Sequence, residues 1–355
     1  MMKIMFISAA NSAHTIRWVN ALASRGHQIL LVSLPNHKAD VEQINDNVKT
    51  HYLPFPGVMG YYLNAIHMKK IYKKWLPDVV NVHYASGYGT LARISQLPNV
   101  ILSVWGSDVY DFPYQNRLRY HIIVKNLLHA KKIASTSHSM AHQVQKLIGE
   151  HDVAVTPFGV DTTRFKKNQV EAHPFTVGIV KTLSPKYGID TVIKAFAHFD
   201  ELVNDESARL LIYGKGPLEN ELLALSNSLG IQGKVFFGGY IPNTNVPAIL
   251  NQIDVFMLGS IYDSESFGVA AVEAMACEIP VIATDVSGFK EVIEDKTTGF
   301  IVPRKDYIAM ADYLKLLYQN PDLRKKMGIA GRNRVLNLYD WEHNVSTMLN
   351  VYSSM

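Results

Sequence analysis

Residues 255–276 read VFMLGSIYDSESFGVAAVEAMA. Val255 to Leu258 form a short apolar run, residues 259–264 a polar loop, and Val269 to Ala276 a small, apolar helical pattern packed on most sides. A strand that passes through a loop into a helix N-terminus is the unit of a parallel α/β sheet, and the carboxyl end of such a strand is where these sheets hold ligands. Two carboxylates, Glu265 and Glu273, bracket the start of the helix. Counted as helical steps of ~1.5 Å each, they lie roughly 12 Å apart along the axis. That is comparable to the reach from a hexose to a ribose across a diphosphate. The helix start between them would offer N–H groups and the positive end of its dipole to such a group.

The same unit recurs along the chain. Strand-like runs at 3–9, 28–33, 79–83, 100–105, 132–137 and 153–156 alternate with helical patterns. A polar stretch at 166–174 follows, and the alternation restarts at 175–180, 208–213, 235–238, 255–258, 281–284 and 300–302. Such alternation predicts parallel sheets covered on both faces. The fold class is therefore α/β, with two Rossmann-like doubly wound domains facing each other across a cleft. The predicted domains are 1–172 and 173–340, with 341–355 returning to the first. No short internal repeat or low-complexity tract interrupts the pattern.

Composition narrows the function. A chain of 355 residues that is 48% hydrophobic can fill two cores. A single cysteine, Cys277, excludes a disulfide framework and points to a reducing compartment, so a cytoplasmic location is expected. No apolar run reaches the ~20 residues that cross a bilayer. The opening MMKIMFISA leads straight into a helical pattern and reads as a first buried strand rather than a signal peptide.

Charge is unevenly spread. Residues 1–172 hold 19 Lys and Arg against 10 Asp and Glu, and the remainder 16 against 21. The basic half lacks any nucleic-acid-binding pattern, so nucleic acid is not an expected partner. Its basic residues interleave with aromatics, which suits an anionic membrane surface or a phosphate-bearing acceptor. The segment 61–75, YYLNAIHMKKIYKKW, reads as one basic amphipathic helix or as an ordinary core-facing helix with a solvated lysine face.

Several motifs fall in a fixed order: Ser264-Glu265-Ser266-Phe267-Gly268, Glu273-Ala274-Met275-Ala276-Cys277, 280–285 (PVIATD) and 297–303 (TTGFIVP). To these are added 157–162 (PFGVDT), 213–217 (YGKGP) and 339–342 (YDWE). Together they resemble the signature of the family 4 glycosyltransferases of the GT-B fold, over the whole C-terminal half and more loosely over the first strand–helix unit. The resemblance implies a retaining transferase that moves a hexose-type sugar from a nucleotide diphosphate sugar to an acceptor hydroxyl. It also implies that the acceptor is held mainly by the N-terminal domain and that 341–355 packs back onto it.

By the same resemblance, Glu265 binds hydroxyls of the transferred sugar and Glu273 the ribose. The chemistry agrees, because one carboxylate accepts from two vicinal hydroxyls at once. Phe267, Gly268 and Val269 would offer backbone N–H groups, Gly268 allowing close approach. A leaving diphosphate needs cations. Where the family has an arginine and a lysine, this chain has Thr182 and Tyr187, with Lys181 and Lys186 each one place earlier. Neighbours on a strand face oppositely, so these lysines serve only if the loop is shaped for them. Gly214 and Gly216 make a tight turn, read either as flanking the nucleotide or as purely structural. No full dinucleotide-binding glycine pattern follows a strand.

On the acceptor side the candidates are Asn11 and Ser12, in a glycine-free loop after the first strand, and His83, at the end of another. Asp108 is a candidate catalytic group near the acceptor hydroxyl, with helix capping as its competing role. No His/Cys ligand cluster exists, and Asp263-Ser264-Glu265 only superficially resembles a magnesium site. The expected cofactor list is empty apart from the donor, a UDP-sugar, and no metal is expected. A saccharide or lipid-linked acceptor in envelope, capsule or exopolysaccharide synthesis is the leading partner, with peripheral contact at the inner face of the membrane. The alternatives are a nucleotide-sugar epimerase, hydrolase or phosphorylase on the same fold, and a non-catalytic sugar-nucleotide-binding scaffold.

Overall fold

A computed structural model describes residues 1–39, 43–169 and 171–355. The chain forms two compact units, Met1–Phe158 with His343–Met355, and Gly159–Glu342. Each is built on one parallel sheet.

The first sheet contains β1 (Lys3–Ile7), β2 (Gln28–Ser33), β3 (Val48–Tyr52), β4 (Val79–His83), β5 (Val100–Val104), β6 (Lys132–Ser135) and β7 (Val153–Val155). Their order is β3-β2-β1-β4-β5-β6-β7. The second holds β8 (Thr176–Val180), β9 (Arg209–Tyr213), β10 (Val235–Gly239), β11 (Val255–Leu258), β12 (Val281–Thr284) and β13 (Gly299–Val302). Their order is β10-β9-β8-β11-β12-β13. Both are doubly wound, as the alternation predicts. The central strands are buried along their whole length because helices cover both faces: β4, β5, β11 and β12 are mostly apolar, with Asn81, His83, Ser103 and Thr284 as their buried polar positions. Phe196, Phe199, Phe256 and Phe289 are fully buried in the second unit, each contributing about 2 kcal/mol of transfer free energy.

In each sheet the direction of winding reverses once, between β1 and β4 and between β8 and β11. The loops that leave these neighbouring strands diverge there, which makes the carboxyl ends of those strands the natural ligand positions.

β3 carries no apolar run in the sequence. It is an edge strand, and three of its five residues, Lys49, Thr50 and His51, are exposed. The segment 61–75 is not one helix. Gly57–Leu63 and Ala65–Trp75 meet at Asn64, which is buried. The Asn64 side chain donates to Phe55 O and Gly60 O at 2.8 Å each and accepts from Phe55 N at 3.2 Å, so it fastens the junction to the preceding loop.

The units divide ahead of the polar stretch 166–174, of which Val170 lies outside the described residues. Arg332 is the physical reason. Its guanidinium donates to Thr162 O (2.9 Å), Phe165 O (2.5 Å) and Ala276 O (2.8 Å), tying 162–165 to the second unit. At the other end of the chain, Asn81 Nδ2 on β4 donates to the Tyr352 hydroxyl at 2.6 Å, which holds the terminal segment to the first unit. Among the described residues no helix is long and apolar enough to cross a membrane.

Candidate functional site

The reversal point between β8 and β11 brings together two loops, 181–188 and 259–268. Gly188, at φ +55°, and Gly259 touch backbone to backbone. A Cβ on Gly188 would sit 2.0 Å from Gly259 O, and one on Gly259 would sit 2.2 Å from Gly188 O. Ile261 N donates to Lys186 O at 3.0 Å, which sets the register of the two loops.

This contact decides where the two lysines go. Lys181 lies one residue beyond β8, where strand alternation no longer governs direction, and Lys186 sits on the short 3-10 turn Pro185–Tyr187. Lys181 Nζ pairs with Glu265 Oε2 at 2.7 Å. Lys186 Nζ donates to Ser264 O at 3.3 Å, next to the same glutamate. Both ammonium groups lie over the Tyr187 ring, its centroid 4.6 Å from Lys181 Nζ and 5.4 Å from Lys186 Nζ. The Lys181–Glu265 pair is largely buried, with side chains 15% and 9% exposed. Burial disfavours the Lys181 charge, but Glu265, Tyr187 and Glu273 outweigh it and hold the ammonium above its ordinary range.

Gly214 and Gly216 hold the backbone of this cation loop. Gly214 has φ +144°, and a Cβ there would lie 1.9 Å from Lys181 O; a Cβ on Gly216 would lie 2.2 Å from Leu183 O. Lys181 N donates to Tyr213 O (2.9 Å) and Leu183 N to Lys215 O (3.1 Å). The turn therefore lies flat against 181–183 and fixes the base of Lys181.

The helix Val269–Ala276 starts at Gly268, whose φ of +83° is the left-handed conformation that glycine tolerates best. No side chain caps it, and the first intrahelical bonds run from Ala271 N and Val272 N to Gly268 O. The N–H groups of Val269 and Ala270 come before those bonds at the positive end of the helix. Phe267 is buried edge-on against Tyr339, with centroids 5.5 Å apart. Gly288 permits the next helix to press on this loop, since a Cβ there would lie 2.3 Å from Glu265 O. The estimate of eight helical steps between the glutamates is corrected. Residues 265–268 precede the helix, so only the four steps from Val269 to Glu273 are helical, a rise of ~6 Å. Glu273, one turn in, accepts from Asn243 Nδ2 at 3.3 Å, on the turn that follows β10.

Asp263 is committed elsewhere. Its Oδ1 accepts from Ser287 N (2.9 Å) and Ser287 Oγ (2.7 Å) and pairs with Arg304 at 2.8 Å. Burial works against its charge, but Ser287 and Arg304 prevail and hold the carboxyl below its usual range. Among the described residues no group of three or more His, Cys, Asp or Glu could hold a metal ion.

The corresponding reversal in the first unit lies between β1 and β4. The loop after β1 is pinned by Asn11 N to His37 O (3.1 Å), Ser12 N to Ala9 O (3.2 Å) and Ala10 N to Ser33 Oγ (3.1 Å). Asn11 is exposed and Ser12 half-buried at the start of the helix Ala13–Ser24. His83 is buried at the end of β4, 3.5 Å from the Thr15 hydroxyl, with Phe6 edge-on at 5.1 Å and Trp105 at 4.4 Å. Burial, aided by His14, lowers its pKa to about 3. His14 stacks on Phe158 at 3.9 Å and meets the edge of Trp105 at 5.6 Å; burial, then Arg17, lowers its pKa to about 4. His83, Trp105 and Phe158 line a small pocket together with Trp18, Thr136 and Thr156.

Asp108 is bound to its own backbone surroundings. It is fully buried, with Oδ2 accepting from Ala85 N (2.8 Å) and Oδ1 from Trp105 N (3.1 Å) and Gly106 N (2.9 Å). Burial pushes its carboxyl up against the opposing pull of those N–H groups. Its carboxylate joins the loops after β4 and β5 from within the short helix Ser107–Tyr110, whose N-cap is Gly106 and has no side-chain cap. Sequence reasoning also passed over Asn243, which lies in no motif, and the His14–Phe158 stack, whose partners are far apart in the chain. Tyr187 was noticed only as a missing lysine.

Two family models match the chain. One, described as glycosyl transferases group 1, matches residues 160–334, and the other, glycosyl transferase 4-like, matches residues 3–137. The chain belongs to the family 4-like glycosyltransferases of the GT-B fold. The transferase is 26% identical over 361 residues to N-acetyl-alpha-D-glucosaminyl L-malate synthase of Bacillus anthracis, covering 93% of this chain and 90% of that one. It is 35% identical over 173 residues to the putative colanic acid biosynthesis glycosyltransferase WcaL of Escherichia coli K12, across 47% of this chain but only 42% of that relative. Anabaena HepE, solved in complex with UDP, matches its fold with a TM-score of 0.85 at 17% identity over 100% of both chains.

Proposed function

We propose that this glycosyltransferase is a retaining enzyme that moves a hexose-type sugar from a UDP-sugar to a hydroxyl of a saccharide or lipid-linked acceptor, without a metal. The observation that carries this reading is the Lys181–Glu265 pair, with Lys186 beside it, at the reversal point of the second sheet. A buried glutamate set next to two ammonium groups and a helix start suits a sugar joined to a diphosphate. Glu265 would accept from sugar hydroxyls and Glu273 from the ribose. Lys181, Lys186 and the N–H groups after Gly268 would meet the charge that grows on the diphosphate, a preorganised electrostatic role. In the reaction the bond from the anomeric carbon to the phosphate oxygen breaks and the acceptor oxygen bonds to the same face. The acceptor proton passes to the leaving phosphate oxygen, which gains the charge that accepts it. The first unit supplies the acceptor surface near Asn11, Ser12 and His83, and Lys181 and Lys186 stand in for the family's arginine and lysine. We place the enzyme in the cytoplasm, at the inner face of the membrane, serving envelope, capsule or exopolysaccharide synthesis.

The test is a transfer assay with UDP-sugars and a panel of saccharide and lipid-linked acceptors, run on the wild type, Glu265→Ala and Lys186→Ala. The proposal expects acceptor-dependent turnover that each substitution lowers by at least about a hundredfold, the range seen when one preorganised charge-stabilising group is removed. Donor breakdown unaffected by any acceptor would favour a hydrolase or epimerase. Donor binding with no turnover under any acceptor would favour a scaffold.

A further inference from the structure

The helices Gly57–Leu63 and Ala65–Trp75 have a buried face and an outward face of different chemistry. Inward, Tyr61 lies on Gly87, where a Cβ would fall 2.3 Å from its ring, and meets Tyr88 edge-on at 5.2 Å. Met68 is fully buried, and Asn64 locks the junction as described above. Both helices are thus held in place on the first unit, and their outward face is fixed.

That outward face is apolar where a solvated helix would be polar. Val58 is 74% exposed, Met59 61%, Leu63 50% and Ile66 68%. Within the first helix Met59 and Leu63 are four residues apart, as are Val58 and Tyr62, so neighbours on its surface are apolar; Ile66 continues the apolar exposure at the start of the second helix. Phe55, also exposed, extends the patch before the first helix. Scattered exposed aliphatics are ordinary, but a contiguous ridge of them marks a binding surface. The same side then turns basic, with Lys69, Lys70, Lys73 and Lys74 all exposed. From Val48 to Pro77 there is no carboxylate at all and there are five lysines.

We infer that this helix pair is the site at which the enzyme docks on an anionic lipid surface, with the Val58–Met59–Leu63–Ile66 ridge entering the interface and the four lysines lying over the headgroups. An apolar ridge joined to a basic flank on a helix lying in the plane of the surface is the chemistry that anionic bilayers recognise. The carboxylate-free stretch removes the repulsion that would oppose such contact. An acidic protein partner would be served by the lysines but would not call for large aliphatic side chains in water. The inference deepens the membrane-facing part of the proposed function and rests on that part alone. It names the surface and its occupant.

The experiment is flotation of the full chain with phosphatidylcholine vesicles and with vesicles of equal parts phosphatidylcholine and phosphatidylglycerol. Each lysine near an anionic surface strengthens binding roughly fivefold. Wild type is therefore expected to float with the anionic vesicles, to bind plain phosphatidylcholine more than about tenfold more weakly, and to be released by salt. The exposed-site variants Met59→Glu/Ile66→Glu and Lys69→Gln/Lys70→Gln/Lys73→Gln should each lose more than about tenfold. Failure of the wild type to float overturns the inference, as does wild-type binding by either variant. Melting temperatures of the same preparations with and without UDP-sugar keep the two readings apart. Loss of flotation with donor stabilisation intact refutes only the docking surface, and flotation without donor stabilisation refutes only the donor site.

Discussion

Replacing Lys181 by methionine removes the cation from Glu265 while keeping most of the side-chain volume. In the folded chain the glutamate is 9% exposed and its partner Nζ lies 2.7 Å away, so the substitution leaves a nearly buried carboxylate beside Tyr187 whose remaining nearby cation, Lys186, is held on Ser264 O. Breaking a buried pair from one side costs roughly 3–5 kcal/mol. The residual exposure of both groups argues for the lower end, about 3 kcal/mol. For a unit of this size that is a fall of roughly 6–12 °C in melting temperature. Scanning calorimetry of Lys181→Met is the first assay. The second is the double variant Lys181→Met/Glu265→Gln, which removes the unpaired charge and should recover most of the deficit. A loss below about 1 kcal/mol, the level of an exposed pair, or a double variant no more stable than Lys181→Met, would refute the reasoning.

The first unit should be acid-sensitive through two imidazoles, His83 buried and His14 half-buried. His83 and His14 have folded pKa values of about 3 and about 4, below the unfolded value of ~6.5. The stability they allow is therefore complete above ~6.5 and drains as pH falls toward their folded values, at up to about 1.4 kcal/mol per pH unit each. Urea midpoints followed by pH should show this slope, and His83→Gln should roughly halve it; a flat profile over that window would contradict the burial argument. Asp108→Asn turns an amide NH2 toward backbone N–H groups that now meet a carboxylate, and should cost at least about 2 kcal/mol. Protein that remains folded should keep its kcat. A large fall in kcat with stability unchanged would return Asp108 to the chemistry.

The second sheet and its site were the more legible part of the chain. Central parallel strands are buried on both faces, so Val255 to Leu258 and Val281 to Thr284 stand out as unbroken apolar runs. Glu265, Gly268 and Glu273 follow in one segment and could be read together. β3 was not legible because an edge strand need not be apolar. Asn64 hid the break at 61–75, since an asparagine inside a helical pattern announces no particular fastening. The convergence of Lys181 and Lys186 on Glu265 depends on the Gly188–Gly259 backbone contact, which joins loops far apart in sequence, and the pattern of either loop alone does not show it. Asp108 was ambiguous because a carboxylate after a strand reads alike whether it faces a substrate or its own backbone.

The central claim is that the second unit holds a nucleotide diphosphate sugar between Glu265 and Glu273. The most direct measurement is the melting temperature of the wild type and of Glu273→Ala across UDP-, GDP- and ADP-sugars. A bound donor at a hundred times its dissociation constant adds about 2.7 kcal/mol. One nucleotide class, expected to be the UDP-sugars, should raise the wild-type melting temperature by several degrees. Glu273→Ala should melt near the unliganded wild type and lose that rise. If no nucleotide sugar shifts the wild type, or if Glu273→Ala responds as fully as the wild type, the assignment of this site to the donor is contradicted.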